Sequence, residues 1–179
     1  MPAIWFKREE TRAERYDRKV ENGLVTRFSN LSIATVHFQC DSNLGMLVRN
    51  AACFGCDEVH VIGSLPSHRD LVAKSGNTQN LVTIRQWNRE EDFLNYCKMM
   101  KVKVISVELG DSAVDCRSFE LDPDEKYVFV IGNESYGIPA VILMNSSQVV
   151  KIAMPGAGIC LNAAVASGVI LYEATRNLF

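Results

Sequence analysis

The chain has 179 residues, enough for one domain with a sizeable core. At 47% hydrophobic and 22% charged it has the composition of an ordinary globular protein, and no apolar run approaches the roughly 20 residues that a bilayer crossing needs. A net charge of −2 excludes a uniformly basic surface and leaves only local basic patches for contact with nucleic-acid phosphate.

Residues 1–30 read as a polar, helical arm. Charges dominate from Lys7 to Glu21, bases slightly outnumber acids, and Asn22-Gly23 supplies a stop. A solvated extension is the plainer expectation for it, and an RNA-gripping arm the alternative. The segment lacks the apolar core of a secretory signal, so a cytoplasmic protein with reduced cysteines is expected.

From residue 31 to 179 the chain alternates between two periods. Ser32–Phe38 is β-rich, and Leu44–Phe54 has helical spacing with Gly55 as its stop. Glu58–Ile62 and Leu81–Ile84 are short strands. Glu90–Met100 is an amphipathic helix with Phe93, Leu94 and Cys97 on one side. Val102–Val107 and Tyr127–Ile131 are strands, the second apolar almost throughout, as where both faces are covered. Ile138–Met144 is a short helix with Pro139 in its first turn, Val149–Met154 a last strand, and Leu161–Thr175 a final helix. This alternation predicts one α/β domain with a mostly parallel sheet and helices on both faces. The final helix has almost no polar face, so it is buried on all sides or packs against another chain, and a homodimer through it is expected.

Six cysteines are present. Cys53-Phe-Gly-Cys56, followed by His60, has C-x-x-C spacing, but no second such pair exists. Buried thiols, with no metal, are the expectation.

Three segments carry polar and turn residues that a plain core does not need. Asp41–Arg49 lies between a strand and a helix, where ligands of open parallel sheets bind. Asn43 is placed to cap that helix, and Arg49 stands two turns in, among the apolar Val48, Ala51 and Ala52. Ile131–Pro139 follows the best strand; Gly132 and Gly137 permit tight geometry, and Glu134 could orient a polar group. Ile152–Asn162 contains Gly156-x-Gly158 before a helix, but the third glycine of a dinucleotide loop is absent because Leu161 stands there.

Taken in order, Asn43-x-Gly45-x-x-x-Arg49-x-Ala51-x-x-Phe54-Gly55, Gly132-Asn133-Glu134-x-x-Gly137, and Ile152-x-Met154-Pro155-Gly156 with Leu161-Asn162 resemble the SpoU/TrmH branch of the SPOUT methyltransferases. Lys74-Ser75-Gly76 and Asp111–Asp115 are minor supports, and the resemblance covers residues 32–176. It implies a deep C-terminal trefoil knot, an exception to unknotted topology. It also implies a dimer joined by the final helix and S-adenosylmethionine held bent in the knot. By position, Val107, Gly132, Ile152, Cys160 and Leu161 would contact that cofactor. Asn43, Arg49, Glu134 and Asn162 would surround the reaction centre. Cys160 and Ala164 stand where the family usually has Ser, and Ala153 where it commonly has Pro.

The implied activity is methyl transfer to a ribose 2′-hydroxyl of structured RNA, tRNA favoured over rRNA through Asp111–Asp115 and the lack of a large N-terminal RNA-binding domain. A guanidinium stays protonated, so Arg49 is expected as a fork on an RNA phosphate rather than as a base. Two rivals are a non-catalytic RNA-binding homologue, silenced through Cys160, Ala153 and Ala164, and a small-molecule methyltransferase with an ordinary doubly wound sheet. The intact Asn43, Arg49, Glu134 and Asn162 argue against the first. The lack of a glycine-rich loop after the first strand argues against the second.

Overall fold

A computed structural model describes residues 12–178. The first eleven residues of the expected arm lie outside them. The described part of the arm contains α1 (Arg12–Glu21), which stops at Gly23 with φ +64°. Then follow β1 (Phe28–Val36), α2 (Asp41–Cys53), β2 (Cys56–Ile62), α3 (His68–Ser75), β3 (Thr83–Trp87), α4 (Glu90–Met100), β4 (Val102–Val107), β5 (Val114–Asp115), β6 (Lys126–Ile131), α5 (Ala140–Met144), β7 (Gln148–Lys151) and α6 (Ala163–Thr175).

The strands form one sheet in the order β3-β2-β1-β6-β4-β7-β5, with every pairing parallel. Alternate residues of each strand feed two cores. Leu31, Ile33, Tyr127, Phe129 and Ile131 pack under α2, α3 and α6 through Leu44, Leu47, Val48, Leu71, Ile170 and Leu171. Ala34, Val36, Val128 and Val130 pack on the other face against Phe93 and Cys97 of α4 and Ile142 of α5. Helices therefore cover both faces, and the period of two in the strands explains why β6 reads as apolar throughout. Helices on opposite faces create a crevice at the strands' carboxyl ends, the usual ligand position in such sheets.

Several boundaries move. β1 begins at Phe28 and ends at Val36, because His37 turns the chain with φ 49°. β7 stops at Lys151, so Ile152–Met154 leave the sheet. α6 starts at Ala163; Asn162 is its cap, its side-chain oxygen accepting from the Ala164 and Val165 amides. Asn43 is not a cap: that position belongs to Cys40, and Asn43 lies inside α2. Of the two alternatives expected for α6, burial on all sides within its own chain does not hold. Ala164, Ser167, Ile170, Leu171 and Thr175 are buried, while Val165, Val169 and Tyr172 are 46%, 37% and 57% exposed on the opposite face.

The C-x-x-C reading is half corrected. Cys56 is buried and burial pushes its thiol up, but Cys53 is exposed. Among the described residues no cluster able to hold a metal occurs, and no helix is long and apolar enough to cross a membrane.

Candidate active site

β4 and β6 are neighbours in register, with Val107 opposite Ile131. Beyond their ends opens a cleft of about 370 Å³ lined by Val107, Glu108, Ile131–Glu134, Gly137, Cys160–Ala163 and Ala166. A smaller recess of about 100 Å³ shares Val107, Glu108, Cys160, Leu161 and Ala166 with it and adds Leu109, Ile152 and Met154. The structure thus brings Val107, Gly132, Cys160 and Leu161 together in one cleft, with Ile152 in the adjoining recess.

The loop after β6 is built to present one carboxylate. Asn133 and Gly137 exchange backbone hydrogen bonds at 2.9 and 3.0 Å. The Asn133 side chain accepts from the Ser135 and Tyr136 amides and donates to the His37 carbonyl, tying the loop to the end of β1. Gly137 has φ +69°, which disfavours a side chain there.

Glu134 stands at the tip of this loop and accepts from three donors. These are the Gln39 amide at 3.0 Å, the Cys40 amide at 3.3 Å and Asn43 Nδ2 at 2.7 Å. Partial burial raises its carboxyl, but these donors outweigh the desolvation and hold it below its ordinary range. Asn162 Nδ2 in turn donates to Asn43 Oδ1 at 3.0 Å. Asn162, Asn43 and Glu134, from three distant segments, form one hydrogen-bonded chain at the edge of the cleft.

Arg49 is not part of it. Asn43 and Asn50 lie seven residues apart on one face of α2, and Asn50 donates to Ala164 O and Ser167 Oγ of α6. Arg49 is rotated toward α3, where its Nε donates to the Ser75 carbonyl at 2.9 Å. Its terminal nitrogens make no hydrogen bond among the described residues, and it does not line the cleft. α2 and α3 are in close contact here: a Cβ on Gly45 would lie 2.4 Å from Lys74 Cβ.

Gly156 and Gly158 have nothing within 4 Å of where a Cβ would be, so they do not form a tight cradle. Two cleft residues escape a reading of the sequence alone. Asn133 stands out there only as part of its motif, although an Asn after a glycine is a turn former. Glu108 follows β4 directly, and an acid at the carboxyl end of a parallel strand is the available signal.

Residues 30–172 match the SpoU rRNA Methylase family. The chain is 28% identical over 163 residues to the tRNA (guanosine(18)-2′-O)-methyltransferase of Escherichia coli strain K12, covering 91% of this chain and 70% of that protein. It is 28% identical over 173 residues to the enzyme of the same name from Thermus thermophilus, covering 95% and 86%. Among solved structures, the AdoMet-bound rRNA methyltransferase from Sinorhizobium meliloti superposes with a TM-score of 0.77 at 25% identity, over 86% of this chain and 58% of that one. The chain thus spans little more than half the length of that protein.

Proposed function

The chain belongs to the SpoU rRNA methylase family, and from that premise we propose that it transfers the methyl group of S-adenosylmethionine to a ribose 2′-hydroxyl of structured RNA. The observation that carries the reading is the cleft at the ends of β4 and β6, edged by the Asn162–Asn43–Glu134 chain. The names of the Escherichia coli and Thermus thermophilus relatives favour tRNA over rRNA as the substrate. A cytoplasmic location belongs to the same proposal.

The residues present suit this cofactor. The cleft lies within the range of small-molecule sites, roughly 300–1,000 Å³. Apolar walls from Val107, Ile152, Met154 and Leu161 suit a purine, and the small Gly132, Ala163 and Ala166 let ligand approach the backbone. The polar edge suits the charged amino-acid end. When bound, the cofactor supplies a methyl group already activated by a positively charged sulfur, so no metal is needed.

The remaining work falls to the protein: to hold the ribose oxygen in line with the methyl carbon, and to let the hydroxyl proton leave. Orientation of this kind can supply several kcal/mol. Asn162 and Asn43 are locked to one another and to Glu134, so the centre is ordered before RNA arrives. Glu134 accepts from three protein donors that hold its carboxyl below its ordinary range, which suits it to fixing Asn43 rather than to taking a proton. A phosphate oxygen or water receives the proton. Arg49 offers two terminal nitrogens to an RNA phosphate from the flank of α2, apart from the cleft of its own chain.

The proposal includes a homodimer through α6. Val165, Val169 and Tyr172 make an exposed apolar stripe at helical spacing. It also includes the trefoil knot, supported by α6 folding back from the cleft to pack on α2. Calorimetry with S-adenosylmethionine tests the first half of the reading. Treating total RNA with methyl-labelled cofactor, then sequencing the modified fragments by mass spectrometry, tests the second. Failure to bind the cofactor, or label confined to bases, would refute it. Sedimentation that finds only monomers at micromolar concentration would remove the dimer.

A further inference from the structure

Resting on the methyltransferase reading, we infer that Glu108 is a specificity-determining contact that accepts hydrogen bonds from the 2′- and 3′-hydroxyls of the cofactor's ribose. The cavity beyond β4 has two parts that share Val107, Glu108, Cys160, Leu161 and Ala166. To these the recess adds only apolar side chains, Leu109, Ile152 and Met154. The larger cleft adds the polar side chains Asn133, Glu134 and Asn162 along one edge. S-adenosylmethionine has the same polarity along its length: a flat purine, a ribose diol, then a charged tail ending in an amino acid. Seated with purine in the recess and tail in the cleft, its diol falls where the two parts meet. Glu108 lines both parts and is the acidic residue they share.

The carboxylate is oriented for such a task. Oε1 accepts from the Leu109 amide at 2.9 Å and Oε2 from the Ile138 amide at 3.2 Å. One donor per oxygen fixes the plane of the group and leaves each oxygen acceptor capacity. No cation pairs with it among the described residues. The chain also keeps space for it: a Cβ on Gly137 would sit 2.5 Å from Glu108 Oε2. A carboxylate with two free acceptor sites matches two adjacent hydroxyls, the same pairing by which an acid at a strand end holds ribose in dinucleotide folds.

The test is calorimetry with S-adenosylhomocysteine and its 2′,3′-dideoxy analogue, on the unaltered chain and on Glu108→Gln. The unaltered chain is expected to bind the diol ligand on the order of ten- to a hundredfold more tightly, the effect of hydrogen bonds to a carboxylate. In Glu108→Gln that preference should shrink to within roughly threefold, while affinity for the dideoxy analogue stays close to its original value. Equal affinities in the unaltered chain would overturn the inference, and that comparison stands even if the variant fails to fold. So would a preference that survives in Glu108→Gln, or a variant that weakens both ligands alike, which is what a merely structural role produces. An unaltered chain that binds neither ligand would overturn the methyltransferase reading itself, and this inference with it.

Discussion

Asn43 Nδ2 donates to Glu134 Oε1 at 2.7 Å, joining residues 91 positions apart in the chain. The bond fixes the start of α2 against the loop after β6, and through Asn162 it extends to the cap of α6. One carboxylate thereby organises three segments, and its removal should be felt more in turnover than in folding.

Glu134→Gln keeps the shape but puts an amide nitrogen where one acceptor oxygen stood, facing a donor. Turnover is expected to fall roughly a hundredfold, the scale seen when one preorganised polar group is lost from a reaction centre. Cofactor affinity should change far less. Steady-state methylation measured beside calorimetry checks this, and near-normal turnover would contradict the role given to the chain of three side chains.

Arg49→Lys retains charge but loses both the fork and the bond from Nε to the Ser75 carbonyl. RNA affinity and turnover should fall, by roughly tenfold or more, because a bidentate contact to phosphate is lost. Cofactor binding should be unchanged, since Arg49 does not line the cleft. Filter binding of RNA and calorimetry of the cofactor separate the two effects. A loss of cofactor affinity alone would place Arg49 elsewhere in the mechanism.

Cys160 is exposed and lines both the cleft and the recess. Cys160→Ser should leave activity unchanged or raised, given the serine usual in the family. A bulky maleimide on Cys160 should block the cofactor, and S-adenosylmethionine should protect this thiol. Peptide mapping is needed, because Cys40 and Cys53 are exposed as well. Labelling at an undiminished rate in saturating cofactor would argue that the thiol faces away from the ligand.

His60, on β2 two strands from β6, sits in an aromatic cluster with Trp87, Phe93 and Tyr96 and does not line the cleft. Trp87 Nε1 donates to its Nδ1 at 3.2 Å, and Glu58 Oε2 lies 3.4 Å from Nε2. Burial lowers its pKa from 6.5 to about 4, against the opposing pull of Glu58 and with a smaller push from Arg85. The unfolded chain therefore takes up a proton on His60 before the folded one does. Stability from this residue is full above about pH 6.5 and is lost progressively as pH falls toward 4, by a few kcal/mol at most. Denaturant titrations across that window should show the loss, and His60→Phe should flatten it. An unchanged slope in the variant would assign the acid sensitivity to other groups.

The sheet is legible in the sequence wherever a strand is buried on both faces. Tyr127–Ile131 has almost no polar residue to confuse the period, and Gly55, with φ +75°, marks where α2 gives way to β2. β5 is two residues long, too short for any periodicity. α3 has mostly polar residues, and its signals are the ends alone: Ser67, whose side chain accepts from the Asp70 amide, and Gly76 with φ +65°.

At the site, Asn43, Glu134 and Asn162 can be named from their motifs, but their bonding to one another cannot. An Asn near a helix start reads as a cap, and only the tertiary fold brings Glu134 close enough to claim it instead. Arg49 illustrates the converse. Its spacing from Asn43 is fixed by the helix, and the helical rotation between them turns it toward α3 and away from the cleft.

A ribose methylated at its 2′-oxygen can no longer attack the adjacent phosphodiester, so alkali leaves that linkage intact. RNA incubated with the chain and methyl-labelled S-adenosylmethionine, then hydrolysed in alkali, should therefore carry its label in resistant dinucleotides. Label recovered only in mononucleotides, with the cofactor shown to bind, would contradict the assignment of the ribose hydroxyl as acceptor.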